Sequence, residues 1–127
     1  MRVFKTKEFK RFARKEKISD EDLCASIARA ERGLVDANLG HGLIKQRIPR
    51  KGRGRSGGFR TVIAYRQGDR SYFVYGFAKN EKDNIADDDL RDIVIYSAAL
   101  MAMSAKLLAA ALKAKKIDEV VYDGEEI

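Results

Sequence analysis

Residues 43–78 read LIKQRIPRKGRGRSGGFRTVIAYRQGDRSYFVYGFA, and this stretch predicts the sheet that determines the fold. It contains three β-type runs, at residues 43–49, 59–66 and 71–78, and the sequence QGDR between the last two is typical of a hairpin turn. Strands joined by such a turn pair in antiparallel orientation. The third run is the richest in aromatic and β-branched residues, so we expect it at the centre of the sheet.

The first of these runs alternates in character along its length. Lys45 and Arg47 fall on one side of the predicted strand. Ile44, Gln46 and Ile48 fall on the other side, because successive side chains of a strand point to opposite faces. The pattern predicts a half-buried strand whose basic residues line its exposed face.

Helical patterns flank the predicted sheet on both sides. An opening strand at residues 2–5 is followed by two helices with N-caps at Thr6 and Ser19, and two further helices begin near residues 87–89 and at Ser104. The order β-α-α-β-β-β-α-α predicts an α+β fold, in which a small, mostly antiparallel sheet has its helices packed on one face. The other face is expected to be open.

The chain is expected to form a single domain over residues 1–127, since this length supports one modest core. Residues 104–127 are expected to form an additional C-terminal helix and an acidic tail. The tail, from residue 117 onward, is expected to be a short strand or to lack regular structure. The sequence NLGHG at residues 38–42 is typical of a turn.

The basic residues that are not balanced by acids are concentrated in residues 45–60. This segment holds seven Lys or Arg and no acid, whereas the whole chain has 26 basic and 19 acidic residues. The formal net charge of +7 therefore comes entirely from this segment. Concentrated charge of one sign, interleaved with glycine, attracts a polyanion and predicts a phosphate-binding surface. We expect Lys45, Arg47 and Arg60 to present it on the open face of the sheet.

The composition excludes several other classes of site. Cys24 and His41 are the only residues of their types, so they cannot build a zinc site, and an internal disulfide is impossible. The glycines of residues 52–57 match G-x-G-x-x-G, but a strand follows them where a dinucleotide site needs a helix. We expect no metal and no cofactor. We also expect a soluble, cytoplasmic protein, because we find neither a secretory signal nor a membrane-spanning run.

RNA cleavage is a reaction that such a basic surface can support. The neighbouring 2′-OH is already the nucleophile, so the protein must supply in-line geometry, a cation for the crowded phosphate, a base and an acid. Arg60 suits the charge-stabilising role, because a guanidinium stays protonated. A lysine among other cations loses its proton more readily, which makes Lys45, Lys51 and Lys79 candidate bases. Tyr75 is the candidate acid.

Three segments together resemble the RelE/HigB-type toxins of bacterial type II toxin–antitoxin systems, in the RelE/ParE superfamily. They are the basic strand and loop KQRIPRKGRGR, the sequence GGFR that opens the next strand, and FAKNE at the end of the third strand. The resemblance covers residues 1–102, and the order of the predicted elements agrees with that of the family.

The resemblance implies an mRNA endoribonuclease, or mRNA interferase, that cuts codons in the ribosomal A site and inhibits translation. It also implies a cognate antitoxin, which we expect to be of the helix-turn-helix type. Arg60 would be the phosphate-stabilising arginine and Lys79 the basic residue after the third strand. The expected RNA-binding residues are Arg47, Arg50, Lys51, Arg53, Arg55 and Asn80.

The acid and base are not assigned by the resemblance. The best-known members of the family carry an arginine where Asn80 stands, and a tyrosine where this chain has Ile85 and Ala86. The acid–base roles therefore stay open between Lys79 and Tyr75.

Two other functions fit the same residues. One is an RNA- or ribosome-binding module without catalysis, which cleavage products would distinguish from a nuclease. The other is a ParE-like inhibitor of DNA gyrase, which shares the fold. The dense basic cluster argues against the gyrase inhibitor.

Overall fold

The computed structural model describes residues 1–50, 58–79 and 84–122. Its elements are β1 (Arg2–Thr6), α1 (Lys7–Glu16), α2 (Asp20–Glu31), β2 (Ala37–Gly40), β3 (Leu43–Ile48), β4 (Phe59–Tyr65), β5 (Arg70–Ala78), α3 (Asp87–Met101), α4 (Ala105–Lys113) and β6 (Ile117–Val120). Thr6 caps α1 by accepting a hydrogen bond from the N–H of Phe9, at 3.2 Å. Ser19 caps α2 through a capping box with Asp22. The predicted starts of both helices are confirmed.

The strands form one sheet in the order β2-β3-β4-β5-β1-β6. Its neighbouring strands are antiparallel, apart from β1 and β5, which are parallel. The predicted α+β class and the mostly antiparallel sheet are confirmed, and β5 lies near the centre as expected. The structure has two strands, β2 and β6, that the predicted order of elements does not contain. β2 occupies most of the stretch expected to be a turn, and β6 shows that the tail begins as a short strand.

α1 and α2 cover one face of the sheet, which we call the back face. Phe9 of α1 and both Leu23 and Ile27 of α2 are fully buried there. They pack against Ile63 of β4 and Phe73 of β5. The predicted amphipathic helix pair therefore supplies half of the core.

α3 and α4 pack on the opposite face, which we call the front face, so the expectation that helices occupy only one face is wrong. Ile93 of α3 and Leu108 of α4 belong to a second core cluster with Val62 of β4. The composition of β5 explains this arrangement. Residues 72–74 of this strand are all buried, and a strand that is apolar on both sides must be covered on both faces.

The two front-face helices are more apolar than α1 and α2. Even so, within the described ranges no single helix is long and apolar enough to cross a membrane. α3 and α4 reach that length and composition only as a pair, and the pair is bent by 111° at the break between them.

Two hydrogen bonds hold the chain after β6 against α2. The hydroxyl of Tyr122 donates a short hydrogen bond to the Glu31 carboxylate, and the thiol of Cys24 donates to the carbonyl of Val121 at 3.3 Å. Burial, together with the hydrogen bond and the negative charge of Glu31, raises the pKa of Tyr122 well above its ordinary value. This contact therefore stabilises the protonated phenol.

Replacing Tyr122 by Phe should lower the free energy of unfolding by about 1 kcal/mol at pH 7, since Glu31 loses its donor at a partly exposed site. Because the pKa of Tyr122 is raised in the folded state, its contribution is fully present below the unfolded pKa of about 10 and is lost as the pH rises further. Urea unfolding should show that the difference between wild type and Tyr122→Phe shrinks above about pH 10.

Tyr65→Phe is the matched control at pH 7. The Tyr65 hydroxyl is buried and has no hydrogen-bond partner among the described residues. Its removal should not lower the stability. Equal losses in the two variants would contradict the proposed role of the Glu31 contact.

Candidate nucleic-acid interface

The strand register brings two predicted site residues together in the middle of the sheet. Arg47 of β3 pairs directly with Arg60 of β4, and Arg60 pairs on its other side with Phe77 of β5. Directly opposed residues of neighbouring strands place their side chains on the same face. Arg60 lies two residues before Val62, which belongs to the front-face core, so this row of side chains faces front.

A second row lies beside the first. Lys45 of β3 pairs with Val62, and Val62 pairs with Tyr75 of β5. Lys45 and Tyr75 are half-buried, as are Arg47 and Arg60. The structure thus brings Lys45, Arg47, Arg60 and Tyr75 onto one part of the front face. We call these four residues the front-face cluster.

Arg47 and Arg60 approach each other closely. Both backbone polar groups of Arg47 are bonded to side chains away from β4: its N–H donates to the Asp36 carboxylate at 2.6 Å, and its carbonyl accepts from Arg29 Nη2 at 2.8 Å. The pair therefore occupies a non-hydrogen-bonded position of the β3–β4 ladder, where opposed side chains are nearest, with Cα atoms about 4.5 Å apart. Like charges at such a position repel each other.

The environment of Arg60 disfavours its positive charge. Partial burial of its guanidinium lowers the pKa of Arg60, and the positive charge of Arg47 lowers it further, while Asp36 opposes both effects. Arg60 Nη1 donates to the carbonyl of Phe59 at 3.3 Å, which uses one of its five N–H groups. An anion placed between the two guanidinium groups would relieve the repulsion. It would also accept hydrogen bonds from the remaining N–H groups of Arg60.

A buried glutamine holds Asp36 in position. The Gln46 side chain is fully buried; its Nε2 donates to the carbonyls of Ser26 at 3.0 Å and Leu34 at 3.1 Å. Its Oε1 accepts from the N–H of Asp36 at 2.8 Å. The amide therefore joins β3 to α2 and to the segment before β2. Buried polar groups satisfied in this way define a unique arrangement.

Lys79 stands at the end of β5. Its side chain is exposed, and its N–H donates to the carbonyl of Gly58 at 3.1 Å. It directly follows β5 and comes two residues after Phe77, the partner of Arg60. Lys79 is therefore next to the row of Arg60, at the end of the sheet where residue 58 enters β4.

Arg50 is the one remaining predicted residue that the structure describes, and it does not join this cluster. Arg50 lies on the back face, with its guanidinium carbon 5.6 Å from the centre of the Phe59 ring. There it lines a cavity of about 370 Å³ beside the end of α1. The predicted RNA-binding residues Lys51, Arg53, Arg55 and Asn80 lie outside the described residues.

Tyr75 also borders a groove that the sequence did not reveal. The groove measures about 370 Å³ and is mostly apolar; its lining comprises Glu8, Val74, Tyr75, Asp92, Ile93 and Tyr96. The Tyr75 ring lies 6.1 Å from that of Phe77. The groove therefore places two tyrosine rings and two carboxylates beside one member of the front-face cluster.

Sequence reasoning missed Asp36, Arg29 and the role of Gln46. Asp36 and Arg29 belong to no local motif, and only the fold brings them to β3. Gln46 did give a signal, because it is a polar residue on the apolar side of an alternating strand. Among the described residues, no group of three His, Cys, Asp or Glu side chains is placed to bind a metal ion.

A comparison with known protein families covers nearly all of this chain. A family model described as the RelE toxin of the RelE/RelB toxin–antitoxin system matches residues 1–120. A search of curated proteins found no match.

Replacing Gln46 by Leu should destabilise the protein by about 2–4 kcal/mol, because the buried Ser26 carbonyl and the partly buried Leu34 carbonyl and Asp36 N–H lose their partner. Urea unfolding measures this loss. Gln67→Leu is the matched control, since Gln67 is exposed in the turn between β4 and β5, and its substitution should change the stability by less than about 0.5 kcal/mol. Similar stabilities for the two variants would contradict the role assigned to Gln46.

Proposed function

Since this chain belongs to the RelE toxin family, whose model it matches over residues 1–120, we propose that it is a ribosome-dependent mRNA endoribonuclease. The observation that carries this proposal is the half-buried pair Arg47 and Arg60 on the front face. Two guanidinium groups held on directly paired positions of neighbouring strands suit a phosphate diester. Arg60 is the centre of the proposed site because it lies between Arg47 and the aromatic side chains of β5.

In the proposed reaction the 2′-oxygen attacks the adjacent phosphorus and the bond from phosphorus to the 5′-oxygen breaks. A base takes the proton of the 2′-OH, and an acid gives a proton to the departing 5′-oxygen. Negative charge builds up on the non-bridging oxygens as the phosphorane forms, and Arg60 stabilises it, with Arg47 beside it. The nucleophile belongs to the substrate, so the proposed step is metal-independent.

The acid and base come from side chains on either side of Arg60. Lys45 and Tyr75 lie in the row next to it, and Lys79 lies at the end of β5. Tyr75 can donate a proton as a phenol, and the amine of a lysine can accept one. We propose Lys45 or Lys79 as the base and Tyr75 as the acid.

The family also implies an antitoxin that silences the toxin, and we propose that both act in the cytoplasm. A basic surface exposed to cellular RNA binds it nonspecifically unless it is covered. We propose that a cognate antitoxin, of the helix-turn-helix type, covers the front-face cluster with an acidic or helical segment. The ribosomal A site is the proposed location of the mRNA substrate.

Expression of the chain without an antitoxin should arrest growth and produce cleavage of translated mRNA. Arg60→Ala should reduce cleavage by about 10²–10³-fold, as expected when a charge-stabilising group is removed, and should abolish the arrest. Growth curves and mapping of mRNA 5′ ends measure the two effects.

Arg91→Ala is the matched control, because Arg91 is highly exposed on α3 and pairs only with the neighbouring Asp88 among the described residues. It should arrest growth like wild type. Undiminished arrest by Arg60→Ala would refute the proposal. Arrest without any mRNA cleavage would instead favour a binding module without catalysis.

A further inference from the structure

The outer side of α1 carries a second basic surface. A depression of about 270 Å³ is lined by Lys7, Lys10, Arg11, Arg14, Lys115 and Asp118. Five of these six residues are cationic. We call the five cations the α1 basic surface.

This surface is separate from the front-face cluster. α1 packs on the back face through Phe9 and Ala13, which are buried, so its basic side points to solvent. Lys10 forms an ion pair with Asp118 of β6 at 2.8 Å, which places the surface at the edge of the sheet. Arg60 lies on β4, and β5 and β1 stand between β4 and β6.

The charges of α1 are segregated. The helix has five basic and two acidic residues. Glu8 lines the groove beside Tyr75, and Glu16 lines the cavity beside Arg50, so neither lines this depression. Within the described ranges Lys7, Arg11 and Arg14 take part in no ion pair. The surface therefore keeps a strong positive potential although the chain outside residues 45–60 is neutral overall.

The chemistry of the surface selects its ligand. Insertion into a membrane or an apolar protein interface needs exposed apolar side chains, whereas Phe9 and Ala13 are buried. Single-stranded RNA needs exposed aromatic rings for stacking, and the second ring of α1, Phe12, packs inward against Phe9 and Phe59. The surface of α1 presents cationic side chains without exposed aromatic or apolar ones. This composition suits a phosphate backbone.

The spacing of the cations also fits a backbone. Lys7, Arg11 and Arg14 are spaced as i, i+4 and i+7, so they form one stripe on the helix that is about 10 Å long. Along its helix axis, a DNA duplex carries one phosphate charge on each strand about every 3.4 Å. The stripe is therefore long enough to contact two or more phosphates of a double helix.

We propose that the α1 basic surface binds the phosphate backbone of double-helical RNA, independently of the strand bound at the front-face cluster. The binding is electrostatic and does not depend on sequence. It allows the protein to hold structured RNA on its back side while its front face stays free for a single strand. This proposal does not require the chain to cleave RNA.

The test is binding of a 16-base-pair RNA duplex, followed by fluorescence anisotropy at several salt concentrations. The protein carries Arg47→Ala and Arg60→Ala throughout, so that the front-face cluster contributes little. Adding Arg11→Glu and Arg14→Glu should weaken binding at least tenfold and lower the salt slope by about two. The neutral pair Arg11→Gln and Arg14→Gln should also weaken binding, but by a smaller factor. This pair replaces the Glu variant as the test if charge reversal disturbs the fold of α1.

The matched control adds Arg91→Glu and Lys106→Glu, which change the net charge equally at exposed positions of α3 and α4. This control should retain most of the affinity. Equal weakening by the two pairs would show a nonspecific effect of net charge and overturn the proposal. Poly-glutamate serves as a second probe, which represents an acidic protein partner. If Arg11→Glu and Arg14→Glu weaken binding of poly-glutamate but not of the duplex, the proposal is overturned in favour of such a partner.

Discussion

The register between β3 and β4 is the constraint on which the rest of the molecule depends, because it sets Arg47 directly opposite Arg60. Two like charges at such a position are unfavourable. The fold tolerates them because Asp36 and Arg29 bind the backbone of Arg47 and because Gln46 fixes the segment that carries Asp36. A slip of one residue would turn every buried side chain of β3 to the wrong face, so the core enforces the repulsion.

This arrangement links the stability of the fold to the proposed binding of phosphate. A half-buried guanidinium with a lowered pKa beside a second guanidinium is a poor arrangement for the free protein and a good one for a phosphate complex. A phosphate bound by Arg47 and Arg60 should therefore raise the free energy of unfolding by more than a typical surface ion pair contributes. The α1 basic surface differs, because its side chains are spread along an exposed helix and gain their potential from the segregation of Glu8 and Glu16 to other sites.

The sequence by itself determined the features that depend on neighbours along the chain. The alternation in β3 put Lys45 and Arg47 on one side and Gln46 on the other, because side chains of a strand alternate whatever the fold. The N-caps at Thr6 and Ser19 followed from local hydrogen bonding. The count of charges located the basic segment, and the elements and their order gave the α+β class.

Only the tertiary structure decided what depends on residues distant in sequence. It placed α3 and α4 on the front face, sent Arg50 to the back of the sheet, and brought Asp36 to Arg47. It also showed that a scaffold with no net charge outside residues 45–60 still has a cationic side. The physical reason is that helix packing and strand order depend on the total apolar surface that the whole chain buries. A local pattern of residues does not determine that total.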